Sequence, residues 1–404
     1  MASKHPEHAT QPVKQLTHPR DVNYDLLRVV AMLMVIGVHV TNNYMPVKMQ
    51  LTGWAERARF VLVALLLICN PLFIMISGRF NLTFRTSSGS DSEFAGRSVD
   101  QRPISRQNNE HQNNEHIGAG AQGIRASLRP YARYYYKRFI SLILPYLLYA
   151  GGLGFVAYLL MNHRTFGGAV SGALFDLFSG YDDSVYWFVF MLAGFVLATP
   201  FLAPMMHAVG RTGAWLLIGL SIGVAAIEQI CNLAGYRLLF VQSFPWHGLI
   251  VYYLLGFALE MYPPSVCVRR CLYVIAPFAL VWTAATPALF PGQPAQTMRT
   301  LTAAYAAVVT AVFLLFRYDV HIRSRRVSTV ITWLAGYSYT IYLVHSPLTK
   351  ALIGPRLPDP VNGWQYMGLA ALMFVIALSA SLVLALTADN LVLKPLQRLL
   401  RKAL

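Results

Sequence analysis

The sequence predicts an all-α membrane protein, a polytopic helix bundle with about ten transmembrane helices. Of the 404 residues, 56% are hydrophobic and only 12% are charged, and the mean hydropathy is +0.47. Soluble domains carry about 25% charged residues, so this chain lacks the charge to cover a water-exposed surface. The same numbers exclude disorder for most of the chain. Four cysteines are too few for a secreted disulfide scaffold.

Apolar runs long enough to cross a bilayer recur along the chain. A spanning helix needs about 20 mostly apolar residues, and these runs are continuous, unlike the alternating strands of a membrane β-barrel. The first run lacks the cleavage site of a signal peptide, so we expect it to be retained as a span. The runs are 26–44, 60–78, 139–160, 185–206, 214–231, 246–262, 272–290, 301–317, 330–349 and 366–388.

The runs also divide the chain into segments. A polar tract contains the tandem repeat QNNEH-QNNEH at 107–116, and such composition cannot bury enough surface to fold alone. The expected segments are a polar cytoplasmic N-terminus at 1–22, helices 1–2 at 23–80, a disordered cytoplasmic loop at 81–130, helices 3–10 at 131–390, and a basic cytoplasmic C-terminus at 391–404.

The distribution of basic residues predicts the orientation. Ten spans put both termini on one side, and if that side is the cytoplasm, 25 of the 33 Lys and Arg residues lie there and 8 lie opposite. Cytoplasmic segments of membrane proteins carry such an excess. The bias also explains most of the net charge of +16, so we expect no nucleic-acid partner.

Two smaller features are less informative. The basic, aromatic stretch 129–138 is either an anchor at the headgroup level or a site for an anionic ligand. Cys267 and Cys271 lie four residues apart on the predicted cytoplasmic side, where thiols stay reduced. No partner ligands lie nearby in the sequence, so we expect no metal site.

The first span carries a polar stripe. Ionisable residues inside a membrane are costly, so each is a candidate for function. Asp25 and Arg28 are neighbours on a helix, and Arg28 and His39 are almost three whole turns apart, facing the same way about 16.5 Å apart. Alone, Arg28 can be a topology anchor and His39 a packing residue. Together they favour chemistry, since His accepts protons from hydroxyls and Arg binds phosphates.

The segment DLLRVVAMLMVIGVHV (25–40) resembles the first-span motif of the acyltransferase-3 family, bacterial inner-membrane proteins that transfer short acyl groups to sugar hydroxyls. That motif is an Arg, ten residues and a His, here Arg28 and His39. Later runs resemble the family in the same order, at 73–80, 134–149, 186–200 and 336–348.

The chain departs from the family pattern at two places. Ser141 stands where an Arg-x-x-Arg pair would have its second Arg after Arg138. Val185 and Tyr186 precede Trp187, where the family commonly has a His. The first departure affects expected donor contacts and the second affects the acceptor side, and neither touches Arg28 or His39.

The resemblance implies transfer of an acyl group, acetyl being the first expectation, from cytoplasmic acyl-CoA to a hydroxyl of a cell-envelope or extracellular polysaccharide. His39 would be the general base, and a covalent acyl-His intermediate is the alternative route. Asp25 is expected to orient Arg28. The expected acyl-donor contacts are Arg28, Asp25, Ser77, Arg79 and Arg138.

The same resemblance implies the setting. We expect a multi-pass protein of the bacterial inner membrane with both termini cytoplasmic. Acetyl-CoA or another acyl-CoA would serve as co-substrate, with no permanently bound cofactor. The expected partners are the lipid bilayer, the glycan acceptor and, as a further candidate, the machinery of polysaccharide synthesis.

Four residues are candidates for the acceptor side. Glu228 and His247 fall near the outer ends of spans five and six, and His345 falls in the outer half of span nine. The ring of Trp187 can stack on a sugar. Each also has an interpretation as an interfacial or helix-packing residue, and the sequence leaves both open.

Two other functions compete with acyl transfer. A transporter or flippase for a glycan or lipid-linked sugar also places His and Glu at mid-membrane, although the chain shows no repeat of paired halves. A structural subunit of a polysaccharide synthase would use the polar stripe for assembly. Dependence on an acyl-CoA donor separates the first function from both alternatives.

Overall fold

The computed structural model describes residues 21–83, 128–160, 165–179, 186–236, 244–290 and 302–402. Within these ranges the chain is helical and contains no strand, which confirms the all-α prediction. Most of the predicted loop at 81–130 and the first 20 residues lie outside the described residues.

Fourteen of the helices in the described residues build the bundle and position its site. They are α1 Val22–Val38, α2 Gly53–Leu66, α3 Cys69–Asn81, α4 Leu128–Val156, α5 Phe166–Ser179, α6 Trp187–Ala208, α7 Gly210–Leu233, α8 Ile250–Met261, α9 Val266–Leu289, α10 Ala303–Leu314, α11 Arg325–Ala335, α12 Ser338–Leu348, α13 Gly363–Ala388 and α14 Lys394–Arg401.

The predicted count of about ten spans can be compared with the helices of the described residues. Among the described residues, seven helices are long and apolar enough to cross a membrane, or eight if α11 and α12, bent by 58°, form one broken span. The predicted count of ten is therefore approximate. Two predicted spans, 246–262 and 301–317, correspond to the shorter helices α8 and α10, and the apolar helix α5 was not predicted.

Two predicted boundaries also move. The third span begins at Leu128 rather than at 139, so the basic stretch 129–138 is helical. The last span stays helical from Gly363 to Arg401, so the segment expected as a basic tail at 391–404 is mostly helix. Basic residues end an apolar run in the sequence, but Lys and Arg are good helix formers and do not end a helix.

Turns of π-helix interrupt several helices. Proline lacks a backbone N–H, and its ring clashes with the carbonyl four residues earlier. A wider turn relieves that clash, and a proline stands two residues after the end of four of these turns, at Pro46, Pro145, Pro355 and Pro395. Within the described residues the π-turns are His39–Tyr44, Phe139–Ile143, Leu147–Gly151, Leu315–Asp319, Thr349–Ile353 and Asp389–Leu393.

Helices α3 and α8 cross at very short distance through two glycines. A Cβ atom on Gly78 would lie 1.9 Å from the carbonyl oxygen of Tyr253, and one on Gly256 would lie 2.0 Å from that of Met75. Small residues permit such close approach between membrane helices. The crossing brings the end of α8, with Glu260, next to the end of α3, with Arg79.

Helix α1 lies in the centre of the bundle. In its most apolar stretch, 67% is buried inside the protein, whereas the value is 6% to 50% for the other candidate spans. It packs against α3, α11 and α12. The polar stripe of α1 therefore faces protein rather than lipid, which disfavours the interpretation of Arg28 as a lipid-facing anchor.

Candidate active site

A cavity of about 250 Å³ opens at the end of the bundle that carries Arg28, Arg79 and Arg138, which we call the arginine end. Its polar lining includes Arg28, Ser77, Asn81, Arg138 and Ser141, and its apolar lining includes Phe73, Leu142, Phe188, Leu192, Val196 and Tyr342. We call it the arginine pocket. Pockets for drug-sized ligands measure about 300–1,000 Å³, so this one suits part of a larger ligand.

Arg28 is held by a buried carboxylate. Its Nη1 donates to Oδ1 of Asp25 at 2.9 Å, and Asp25 is fully buried. The guanidinium also stands over the ring of Phe80, 5.0 Å from the ring centroid. A buried charge needs a partner, so Asp25 and Arg28 stabilise each other, and Arg28 keeps part of its surface open to the pocket.

The expected donor contacts on α3 and α4 meet at the same pocket. Ser77 and Arg138 both line it, as does Ser141, the residue that departs from the family pattern. Arg138 stands over the ring of Tyr134 at 5.4 Å. The departure thus removes a second cation from the wall of the pocket and leaves a hydroxyl in its place.

Arg79 lies in a different network. Its Nε is 3.0 Å from Oε1 of Glu260. Glu260 also accepts two hydrogen bonds from Arg317, at 2.9 and 3.1 Å, and one from the Tyr24 hydroxyl at 2.7 Å. Arg79 is not among the residues that line the arginine pocket. The structure therefore separates it from Arg28 and Arg138 and joins it to a cluster that ties α1, α3, α8 and the turn after α10.

His39 meets another predicted histidine. It is the first residue of the π-turn after α1, and its ring centroid lies 5.1 Å from that of His345 on α12. His345 is fully buried, and its Nδ1 donates to the carbonyl oxygen of Tyr342 at 2.6 Å. The Tyr44 hydroxyl is hydrogen-bonded to that of Ser346, which ties the π-turn to α12 beside the two histidines.

A single layer of aromatic rings separates the arginine pocket from the histidines. Phe73, Phe188 and Tyr342 line the pocket, with ring centroids 6.0 and 5.8 Å apart in that order. The ring of Tyr342 also neighbours His345, with the centroids 6.0 Å apart. The wall of the pocket is therefore connected to His345 and His39 through Tyr342.

Two tryptophans form an exposed pair at the opposite end of the bundle. The rings of Trp54 on α2 and Trp364 on α13 lie 4.7 Å apart and are 52% and 75% exposed. Helices α2 and α13 also bind the π-turn His39–Tyr44. Arg59 on α2 donates to Asn42 at 3.4 Å, and Tyr366 on α13 donates to the carbonyl of Thr41 at 3.2 Å. The pair therefore belongs to the shell around the turn that His39 begins.

The remaining acceptor-side candidates do not join the two histidines at one site. Nε2 of His247 is 2.8 Å from Oε2 of Glu228, and both side chains are partly exposed. Trp187 is the first residue of α6, is 38% exposed and meets the ring of Phe188 edge-on at 6.0 Å. The structure joins Glu228 with His247 and His345 with His39, as two separate pairs.

Several residues at these sites were not predicted. The sequence did give a signal for Glu260, a single carboxylate in the apolar run LLGFALEM, since an intramembrane carboxylate is a candidate by default. Arg317, its partner, was interpreted only as a topology charge. No sequence pattern indicated that Trp54 and Trp364 form a pair, because the two residues are 310 positions apart. The described residues contain no group of three or more His, Cys, Asp or Glu that could hold a metal ion.

Comparison with known families shows one family that the chain matches over most of its length. The acyltransferase-3 family model, described as an acyltransferase domain, matches residues 21–386. No curated protein and no solved structure matches the chain significantly. The match runs from the residue before α1 to near the end of α13, so it includes Arg28, His39, the arginine pocket and His345. The chain belongs to the acyltransferase-3 family and is a multi-pass membrane acyltransferase.

Proposed function

We propose that the protein transfers an acyl group, acetyl first among the candidates, from acyl-CoA to a hydroxyl of a cell-envelope or extracellular polysaccharide, with His39 as general base. The observation that carries this proposal is the arginine pocket, which begins at Arg28 and Arg138 and ends one aromatic layer from His345 and His39. The alternative of a glycan flippase needs no acyl donor.

The donor side follows from charge and length. The phosphates of acyl-CoA are anionic, and arginine binds phosphate in a bidentate manner. Arg28 and Arg138 supply two cations at the pocket, and Asp25 orients the first of them. The pocket is small, so it takes the pantetheine arm and the nucleotide stays outside. From Arg28 to His39 the chain rises about 16.5 Å, which is comparable to the reach of that arm.

The reaction balances without a further reactant. His39 takes the proton of the acceptor hydroxyl, and the oxygen attacks the acyl carbonyl carbon. The carbon–sulfur bond then breaks, and the leaving thiolate takes the proton back from His39. An acyl-His39 intermediate is the second route open to the same residues, and acetyl label retained on denatured protein would identify it.

The acceptor side belongs to the opposite end of the bundle in this proposal. Trp54 and Trp364 offer exposed rings for a sugar beside the π-turn that His39 begins. Trp187 is a further ring of this kind, and Glu228 and His247 are a further polar pair. Interfacial tryptophans are also common anchors in membrane proteins. If a ring binds the acceptor, its substitution must therefore change the transfer rate to the acceptor and not only the insertion of the protein into the membrane.

The proposed cellular location of the protein assigns each end of the bundle to one side of the membrane. We place the arginine end and both termini in the cytoplasm and the protein in the bacterial inner membrane, supported by the 25 to 8 distribution of basic residues. Acyl-CoA is then available at the arginine pocket, and a polysaccharide, with its synthesis machinery, meets the opposite end.

Acetyl-CoA binding to the purified protein tests the donor site. Wild-type protein in detergent should bind acetyl-CoA saturably, and Arg28→Ala should weaken binding by about 10–100-fold, since a hydrogen bond to a charged group contributes about 1.5–3 kcal/mol. Arg211→Ala removes an exposed arginine at the start of α7 and should bind normally. Unchanged affinity in Arg28→Ala would refute the assignment, and no binding to folded wild type would favour the flippase.

A further inference from the structure

One nitrogen atom near His39 stands out by its burial. His345 is fully buried, and its Nδ1 contacts a carbonyl oxygen, which only accepts hydrogen bonds. Nδ1 therefore carries the ring proton, and Nε2 presents a lone pair. Among the described residues, Nε2 of His345 has no hydrogen-bond partner. Buried polar atoms are nearly always paired, so this lone pair requires an explanation.

Packing alone does not explain this histidine. An apolar ring would fill the same space without a buried, unsatisfied nitrogen, whose burial costs stability. The bond from Nδ1 to Tyr342 fixes the ring on its own helix. The ring of His39, on another helix, is its neighbour. The two ring centroids are 5.1 Å apart, and the ring planes make an angle of 49°.

A second contact holds the two histidines in register. Tyr44, in the π-turn that His39 begins, is hydrogen-bonded through its hydroxyl to that of Ser346, the residue after His345. The turn and α12 are thus tied together at the level of the two rings. Such a tie is expected where relative ring position matters.

We propose that His345 is a positioning residue for the transfer reaction: its Nε2 accepts the N–H of His39 while the other nitrogen of His39 takes the acceptor's proton. This role rests on the function proposed above. It corresponds to that of the group that orients the histidine in a hydrolytic triad, with a neutral acceptor in place of a carboxylate.

The proton inventory of His345 does not change during the step. The acceptor's O–H bond breaks and its proton goes to His39, the oxygen–carbon bond forms and the carbon–sulfur bond breaks. His39 then returns the proton to the thiolate. His345 keeps its own proton on Nδ1, bonded to Tyr342 throughout, and only receives a hydrogen bond at Nε2.

Two polar variants separate positioning from packing. In His345→Gln the side-chain amide reaches the place of Nε2 and can still accept a hydrogen bond. In His345→Asn the shorter amide reaches only the place of Nδ1, so the acceptor towards His39 is lost. The control is His207→Asn, since His207 also bonds a backbone carbonyl, that of Leu82, and packs on Phe257 instead.

The experiment measures release of CoA thiol from acetyl-CoA by the full-length protein in detergent, with cell-envelope polysaccharide added as the acceptor, and gives kcat, KM and the acetyl-CoA Kd for each variant. Groups that orient a metal-bound histidine typically contribute about 10–100-fold, and we expect a similar factor for His39. His345→Asn should therefore lose about 10–100-fold in kcat, with KM and Kd nearly unchanged. His345→Gln should keep a kcat close to wild type, and so should His207→Asn.

The outcomes distinguish the inference from the proposed function. Wild-type kcat in His345→Asn, or equal losses in the Gln and Asn variants, would overturn the positioning role. A loss that lies in KM and Kd instead would assign Nε2 to the donor's amide and also overturn it. If His39→Ala keeps full thiol release, or wild type releases no thiol, the proposed function fails first and the positioning role with it.

Discussion

At the scale of single residues, the polar stripe of α1 was predictable and its surroundings were not. Asp25, Arg28 and His39 lie on one helix, so helical periodicity alone fixes their relation, and α1 is regular as far as Val38. His345 is 306 positions from His39, and Arg317 is 57 from Glu260. Those contacts depend on how helices pack, which periodicity does not determine.

Asp25→Asn tests whether the buried carboxylate orients Arg28. The substitution keeps the shape and removes the charge that accepts from Arg28 at 2.9 Å. We expect weaker acetyl-CoA binding and a loss of stability of about 1–3 kcal/mol, because the guanidinium of Arg28 loses the charged acceptor of its hydrogen bond. Isothermal titration and thermal unfolding measure the two effects.

The matched control is Asp359→Asn, which removes the exposed carboxylate that pairs with Lys48 at the opposite end. Surface ion pairs contribute about 0–1 kcal/mol, so this variant should behave like wild type. An acetyl-CoA affinity that Asp25→Asn leaves intact would show that Arg28 needs no such orientation.

At the scale of elements, the sequence located the apolar runs but not the breaks between helices. The bend of 58° between α11 and α12 falls at Gly336 and Tyr337, inside one predicted span. The π-turn from His39 precedes Pro46, and the prolines give a physical reason for such turns. A hydropathy window averages over these local features and misses them.

Gly78→Ala tests the close crossing of α3 and α8. The added Cβ would meet the carbonyl oxygen of Tyr253 at 1.9 Å, and since that oxygen is backbone, the helices must separate. Overpacking of this kind costs about 1–3 kcal/mol, so we expect a lower unfolding temperature in detergent.

Gly194→Ala on α6 is the control, because a Cβ there has no atom within 4 Å. Alanine is the better helix former, by about 1 kcal/mol, so this variant should be as stable as wild type or slightly more stable. Equal unfolding temperatures for Gly78→Ala and wild type would mean that the crossing is looser than described.

At the scale of the whole molecule, the orientation of the protein in the membrane decides which end meets acyl-CoA and which end meets the acceptor. Cys267 and Cys271 are exposed near the start of α9, and Cys69 is buried. With the arginine end in the cytoplasm, a membrane-impermeant maleimide should label Cys267 and Cys271 in inside-out vesicles and not in right-side-out ones. Serine variants at both positions identify the labelled thiols, and labelling only from the outside would reverse the orientation.

In the proposed reaction, acyl transfer from CoA depends on His39. The most direct measurement is the rate at which radiolabelled acetyl leaves acetyl-CoA in inside-out vesicles that contain wild type or His39→Ala. A general base contributes about 10²–10⁴-fold, so the variant should lose that factor while its acetyl-CoA Kd stays near wild type. Full transfer by His39→Ala would contradict the account.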